Sequence, residues 1–173
     1  TLKGPWCQEL DSLISVVRPE LTVVAPAFPT WGRIIQGGKL FLKHQNPTPD
    51  SAKNTESPLI PRTDVLSMLQ KQFGSRVKSL NSDLLQQTPA TIKKHIETIL
   101  CKKHDVLLWD IESEKNLEQL AQAGQYLNKN LLWVGSAGLA RFLPIIWGQP
   151  PTSVNSVGPE TKGPLLLICG SLN

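Results

Sequence analysis

The chain has 173 residues, of which 40% are hydrophobic and 18% charged, a composition that builds one folded core and excludes a disordered segment. Its formal net charge of +4 is spread without a stripe and accompanies no known nucleic-acid module, so a nucleic-acid partner is not expected. No apolar run reaches the roughly eighteen residues that a membrane helix needs, so no membrane partner is expected either.

The first expected element is a helix over 2–17. Pro5 suits its first turn, and Leu10, Leu13, Ile14 and Val17 lie at helical spacing. Arg18-Pro19 closes it, and the apolar, β-branched run Leu21 to Ala25 reads as a buried strand. A loop follows over 26–33, stiffened by Pro26 and Pro29. It ends in Arg33, whose planar five-donor fork suits a carboxylate or phosphate, or alternatively pairs with a nearby surface acid. Gly37-Gly38 opens a half-exposed strand over 39–43, and 46–61 is polar and proline-rich, hence a long loop.

Thr63-Asp64-Val65 starts a second helix, with Val65, Leu66, Leu69 and Phe73 on its apolar face and Gly74 at its end. A short strand is expected over 77–80. Thr88-Pro89 then caps a helix with Ile92, Ile96, Ile99 and Leu100 inside. The basic groups at its two ends (Lys93, Lys94, His95 and Lys102, Lys103, His104) read as a solvated face. Residues 105–109 form the next strand, with Asp110 at its carboxyl end. Ser113 caps a helix striped by Leu117, Leu120 and Ala121. A strand over 131–134 leads through Gly135-Ser136 into a helix carrying Leu139, Leu143 and Ile146.

The repeated β-α order with near-continuous apolar strands predicts an α/β fold, a three-layer Rossmann-like domain with a mostly parallel sheet. Too few units are present for a barrel. Residues 1–148 are expected to form this domain, and 149–163, rich in Pro, Gly, Ser and Thr, an interdomain linker. Residues 164–173 then start a further strand that ends in Gly170-Ser171. A strand with no helix after it reads as part of a larger protein. The single Met is Met68, so the natural amino terminus is expected upstream.

Cys7, Cys101 and Cys169 form no Cys-x-x-Cys pair and read as free, buried thiols of a reducing compartment, hence a cytoplasmic protein. No metal is expected, because His44, His95 and His104 lack ligand spacing with them. The chain also lacks a phosphate loop, a dinucleotide fingerprint and a hydrolase elbow.

Chemistry is expected where strands end. Asp110 and Gly135-Ser136 terminate successive strands, and if those strands are neighbours both face one crevice. Asp110 there accepts hydrogen bonds from substrate hydroxyls or positions a reacting one; otherwise it anchors a loop. Ser136 offers its hydroxyl to an anion, or merely caps the helix. Trp31 is a candidate pocket wall, Trp109 and Trp133 are packing residues, and Glu112, Glu114 and Glu118 follow from the helix dipole.

Three segments carry a family resemblance: Pro26-Ala27-Phe28-Pro29 with Gly32-Arg33 and Gly37; Asp110 with Leu117; and Gly135-Ser136-Ala137-Gly138-Leu139-Ala140. In order and spacing the chain resembles the four-carbon acid sugar kinase family over nearly its whole length. Thr1-Leu2-Lys3-Gly4 is similar to the family's "TLRG", with Lys3 in place of arginine, and Asn54 stands where the family has aspartate. The resemblance implies an amino-terminal domain that holds threonate, erythronate or 3-oxo-tetronate. It implies a carboxyl-terminal domain, in cis or as a separate chain, that brings ATP with Mg2+ and phosphorylates the terminal hydroxyl. On that model Lys3, Arg33, Asp110 and Ser136 bind substrate, Asp110 is the candidate catalytic group, and Gly170 and Ser171 approach the cofactor. The chain alone is then inactive, and a homo-oligomer is compatible with the resemblance. The alternatives are a non-catalytic sugar-acid-binding or scaffold domain of the same fold, and an unrelated Rossmann-like enzyme.

Overall fold

In the computed structural model the described residues are 2, 4–42 and 60–148. Lys3, Asn54, Cys169, Gly170, Ser171, the linker over 149–163 and the strand beyond it lie outside them.

Strands β1 (Leu21–Ala25), β5 (Val77–Leu80), β6 (Val106–Trp109) and β7 (Leu131–Gly135) form a parallel sheet in the order β5-β6-β1-β7. β1 and β6 are buried along their whole lengths, which is why both read as unbroken apolar runs. Helices flank the sheet in two packed pairs. One is α1 (Trp6–Val17) with α2 (Val65–Phe73), and the other is α3 (Pro89–Cys101) with α4 (Glu114–Leu127).

Helix α1 begins at Trp6, with Pro5 at its cap, and not at Leu2. It stops at Arg18, which turns left-handed (φ 48°) so that its N–H bonds Ile14, and Pro19 prevents continuation. Its buried side is Trp6, Cys7, Leu10 and Ile14, whereas Leu13 and Val17, expected inside, are exposed. Cys7 is buried, and burial pushes its thiol above the usual value. Cys101, expected buried, is exposed at the end of α3.

The expected helix after β7 is two pieces: α5 (Ala137–Ala140), then a 3-10 segment Leu143–Trp147. Pro144 lacks the N–H that a continuous helix needs at that turn.

A second sheet was not evident in the sequence. β2 (Arg33–Gln36), β3 (Lys39–Leu42) and β4 (Ile60–Asp64) pair antiparallel in that order. Arg33, expected in a loop, opens β2, and Ile60 and Pro61, expected to end the long loop, are strand, while Asp64 ends β4 and caps α2 where a helix start was expected. β3 lies where a half-exposed strand was expected.

The β2–β3 turn is Gly37-Gly38, with φ of 56° and 74°. Two successive positive φ values match the twist of a two-residue hairpin. Gly38 also packs so closely that an added Cβ would stand 2.7 Å from the Leu66 Cβ. Its carbonyl accepts the Leu66 N–H at 2.9 Å. Gly38→Ala is therefore expected to lower stability by about 2 kcal/mol, combining left-handed strain with the clash. Urea unfolding measures it, and an unchanged midpoint would contradict this account.

Asp64 caps α2 by accepting the Ser67 N–H at 2.9 Å. That bond is the main reason its carboxyl titrates below the usual range. A carboxyl lowered by folding adds stability that is present above its unfolded value and lost as pH falls through the folded one. Asp64→Asn keeps a good cap, so its stability at neutral pH should hold while the acid-side slope below about pH 5 flattens. Urea midpoints measured in acid for both proteins check this.

Candidate functional site

Of the expected substrate-binding residues, Arg33, Asp110 and Ser136 are described, and all three lie near the carboxyl ends of the parallel strands. β6 and β7, however, are not neighbours, because β1 runs between them. Asp110 and Ser136 consequently sit on opposite sides of the β1 end and do not share one wall.

Asp110 follows β6 and is only 6% exposed. Its two carboxylate oxygens accept the N–H groups of Gly37 and Gly38 at 2.8 and 2.9 Å. Next to it, Ile111 exchanges both backbone bonds with Ile35 at 2.8 Å. The β2–β3 hairpin is thereby fastened across the end of the parallel sheet. This is a loop-anchoring geometry for Asp110.

The hairpin aims Arg33. Phe28 and Arg33 exchange backbone bonds at 2.8 and 3.1 Å across the 3-10 turn Pro29–Trp31, so the chain doubles back after β1. The half-buried Arg33 side chain lines a cavity of ≈ 700 Å³ together with Trp6, Glu9, Phe28 and Ser136. Apolar side chains of α1, β3 and β7 form most of the remaining wall. Among the described residues no ion pair engages Arg33. A free guanidinium against partly apolar walls is a receptor for a planar anion.

Ser136 caps α5. Its hydroxyl donates to the Ala27 carbonyl and accepts the Gly138 N–H at 3.1 Å. It therefore stitches the β7 end to the loop after β1, and still presents one face to the cavity. Gly138 is needed for that approach, since a Cβ there would lie 3.0 Å from the Ala27 oxygen.

Trp31 does not line the cavity. It is 62% exposed and leans on Phe28, which is the wall, at 6.1 Å between ring centroids. Trp109 is buried, as expected, and Trp133 is half-buried over Gly124.

Two residues of the site escaped the sequence reading. Glu114, classed with the helix-dipole acids, accepts both the N–H and the hydroxyl of Thr30 at 2.8 and 2.6 Å, and its other oxygen lies 3.6 Å from Arg141. It fixes the turn that precedes Arg33. Glu9, on which the sequence reading is silent, faces the cavity from the first turn of α1. Among the described residues no group of His, Cys, Asp and Glu is placed to hold a metal.

The segments around 26–38, Asp110 and 135–140 are thus tied to one another at one end of the sheet. Residues 1–143 match the sugar-binding N-terminal domain family. The chain belongs to that family, a sugar-binding domain associated with the four-carbon acid sugar kinases.

Among relatives of this sugar-binding domain, a D-threonate kinase of Cupriavidus necator is 34% identical over 100% of the chain and 41% of its own length. A 3-oxo-tetronate kinase of Brucella melitensis is 24% identical over 99% of the chain and 39% of its own length. The chain therefore spans about two fifths of the curated relatives it matches. A solved Bordetella bronchiseptica protein, a domain-swapped dimer with bound citrate, is 26% identical with a TM-score of 0.61. The likeness covers 86% of this chain and 35% of that one. The parallel sheet flanked by helices is shared with the solved structure, and the family match sets aside an unrelated Rossmann-like enzyme. Among the described residues no helix is long and apolar enough to cross a membrane.

Proposed function

We propose that this chain is the substrate-holding part of an ATP-dependent kinase acting on threonate, erythronate or 3-oxo-tetronate at the terminal hydroxyl. The observation that carries this reading is the unpaired Arg33 in a cavity at the carboxyl ends of β1 and β7, in a domain of the sugar-binding family. Arg33 takes the carboxylate through its bidentate fork, and Lys3 adds a second cation. Ser136 lies beside the acid, while Asp110 acts by holding the hairpin that aims Arg33.

Residues 1–148 form the substrate domain and 149–163 the linker. Residues 164–173 enter a nucleotide-binding domain, where Gly170 and Ser171 approach the cofactor. ATP supplies the phosphoryl group and Mg2+ balances its charge. Among the described residues no group of three or more His, Cys, Asp and Glu is placed to hold a metal, and on this reading their work is to bind and orient the acid. A carboxyl-terminal domain, in cis or as a second chain, supplies the rest, and the present chain alone is inactive. A cytoplasmic location and a homo-oligomer accompany this reading.

The test is titration of the whole protein with the three acids, followed by an ATP-dependent kinase assay. Saturable binding and phosphorylation of one acid are expected. Binding of none of them would overturn the reading, and binding without phosphorylation would make the protein a sugar-acid receptor.

A further inference from the structure

Arg33 and Glu9 are the only charged side chains on the cavity lining among the described residues. They carry opposite charges, yet no ion pair joins them, and neither has a hydrogen-bond partner among the described residues. An unpaired cation and an unpaired anion on one largely apolar wall leave space for a molecule that satisfies both. Arg33 can only donate, and an ionised Glu9 can only accept. The complementary ligand has an anionic acceptor at one end and donating hydroxyls towards the other. A polyhydroxy monocarboxylate has that pattern, whereas a dicarboxylate brings a second negative charge towards Glu9.

We infer that Glu9 is a specificity residue of this cavity, accepting hydrogen bonds from the hydroxyls of the bound acid and excluding a second anionic group. The inference rests on the reading of the cavity as the sugar-acid site, and it adds to that reading the rejection of acids with a second carboxylate. Repulsion against the wrong ligand sets selectivity as much as attraction to the right one.

Threonate and tartrate are suitable probes, because they differ in having a hydroxymethyl or a carboxylate at one end. The whole protein should bind threonate about tenfold more tightly than tartrate at low salt, a ratio that shrinks as salt screens the repulsion. Glu9→Gln keeps the size and one acceptor but removes the charge. It should bring the two affinities close to equal, chiefly by improving tartrate. Glu9 is an exposed helical residue, so its melting temperature should hold. Wild-type protein binding tartrate or citrate as well as threonate would overturn the inference. So would a Glu9→Gln ratio unchanged from wild type, with threonate binding intact in both; that result leaves the sugar-acid reading standing. Wild-type protein that binds neither acid would remove both.

Discussion

Asp110→Ala should destabilise the fold by about 3 to 6 kcal/mol, since two hydrogen bonds to a charged acceptor are worth about 1.5 to 3 kcal/mol each. The deletion leaves the N–H groups of Gly37 and Gly38 without their acceptor, the second of them in a buried bond. Asp110→Asn should recover part of this. Its amide oxygen can serve one glycine, but its NH2 then faces the other N–H, donor against donor. Because the hairpin aims Arg33, acid binding should weaken in step with stability. Urea unfolding and threonate titration on the same samples separate the roles expected for Asp110. Lost stability with lost affinity marks an anchor. Lost affinity with full stability would mark a residue in contact with the acid, and would sink the anchoring account.

This ambiguity at Asp110 shows where sequence reading stops. The parallel strands were legible because β1 and β6 are buried on both faces, and unbroken apolar runs have few other homes. Helix starts were legible because caps act locally: Asp64, Thr88 and Ser113 each accept an N–H within three residues. The small antiparallel sheet was hidden. β2 offers only Ile34 and Ile35 as a signal, and β4 pairs with β3 across a long stretch of chain, so neither declares itself locally. Strand order was hidden too, and with it the separation of Asp110 from Ser136. Glu114 and Glu9 are ordinary first-turn acids in sequence. Only the crossing of α4 with the Pro29–Trp31 turn, and of α1 with the cavity, gives them partners or a ligand-facing position.

Arg33 separates cleanly from these supporting residues. Arg33→Ala should leave stability within about 0.5 kcal/mol, because the half-buried side chain holds no described partner. Acid affinity should nevertheless fall about 100-fold, the equivalent of about 2.7 kcal/mol for a desolvated bidentate contact with a carboxylate. Arg33→Lys keeps the charge but loses the fork, and about a tenfold loss is expected. On the proposed function, the carboxylate is remote from the terminal hydroxyl that reacts. KM should therefore carry most of the Arg33→Ala effect, with a smaller fall in kcat as the acid loses orientation. Steady-state kinetics at saturating ATP measure that split. A collapse of kcat with KM unchanged would place Arg33 on the transferring phosphoryl instead, because only a contact made in the transition state spares ground-state binding.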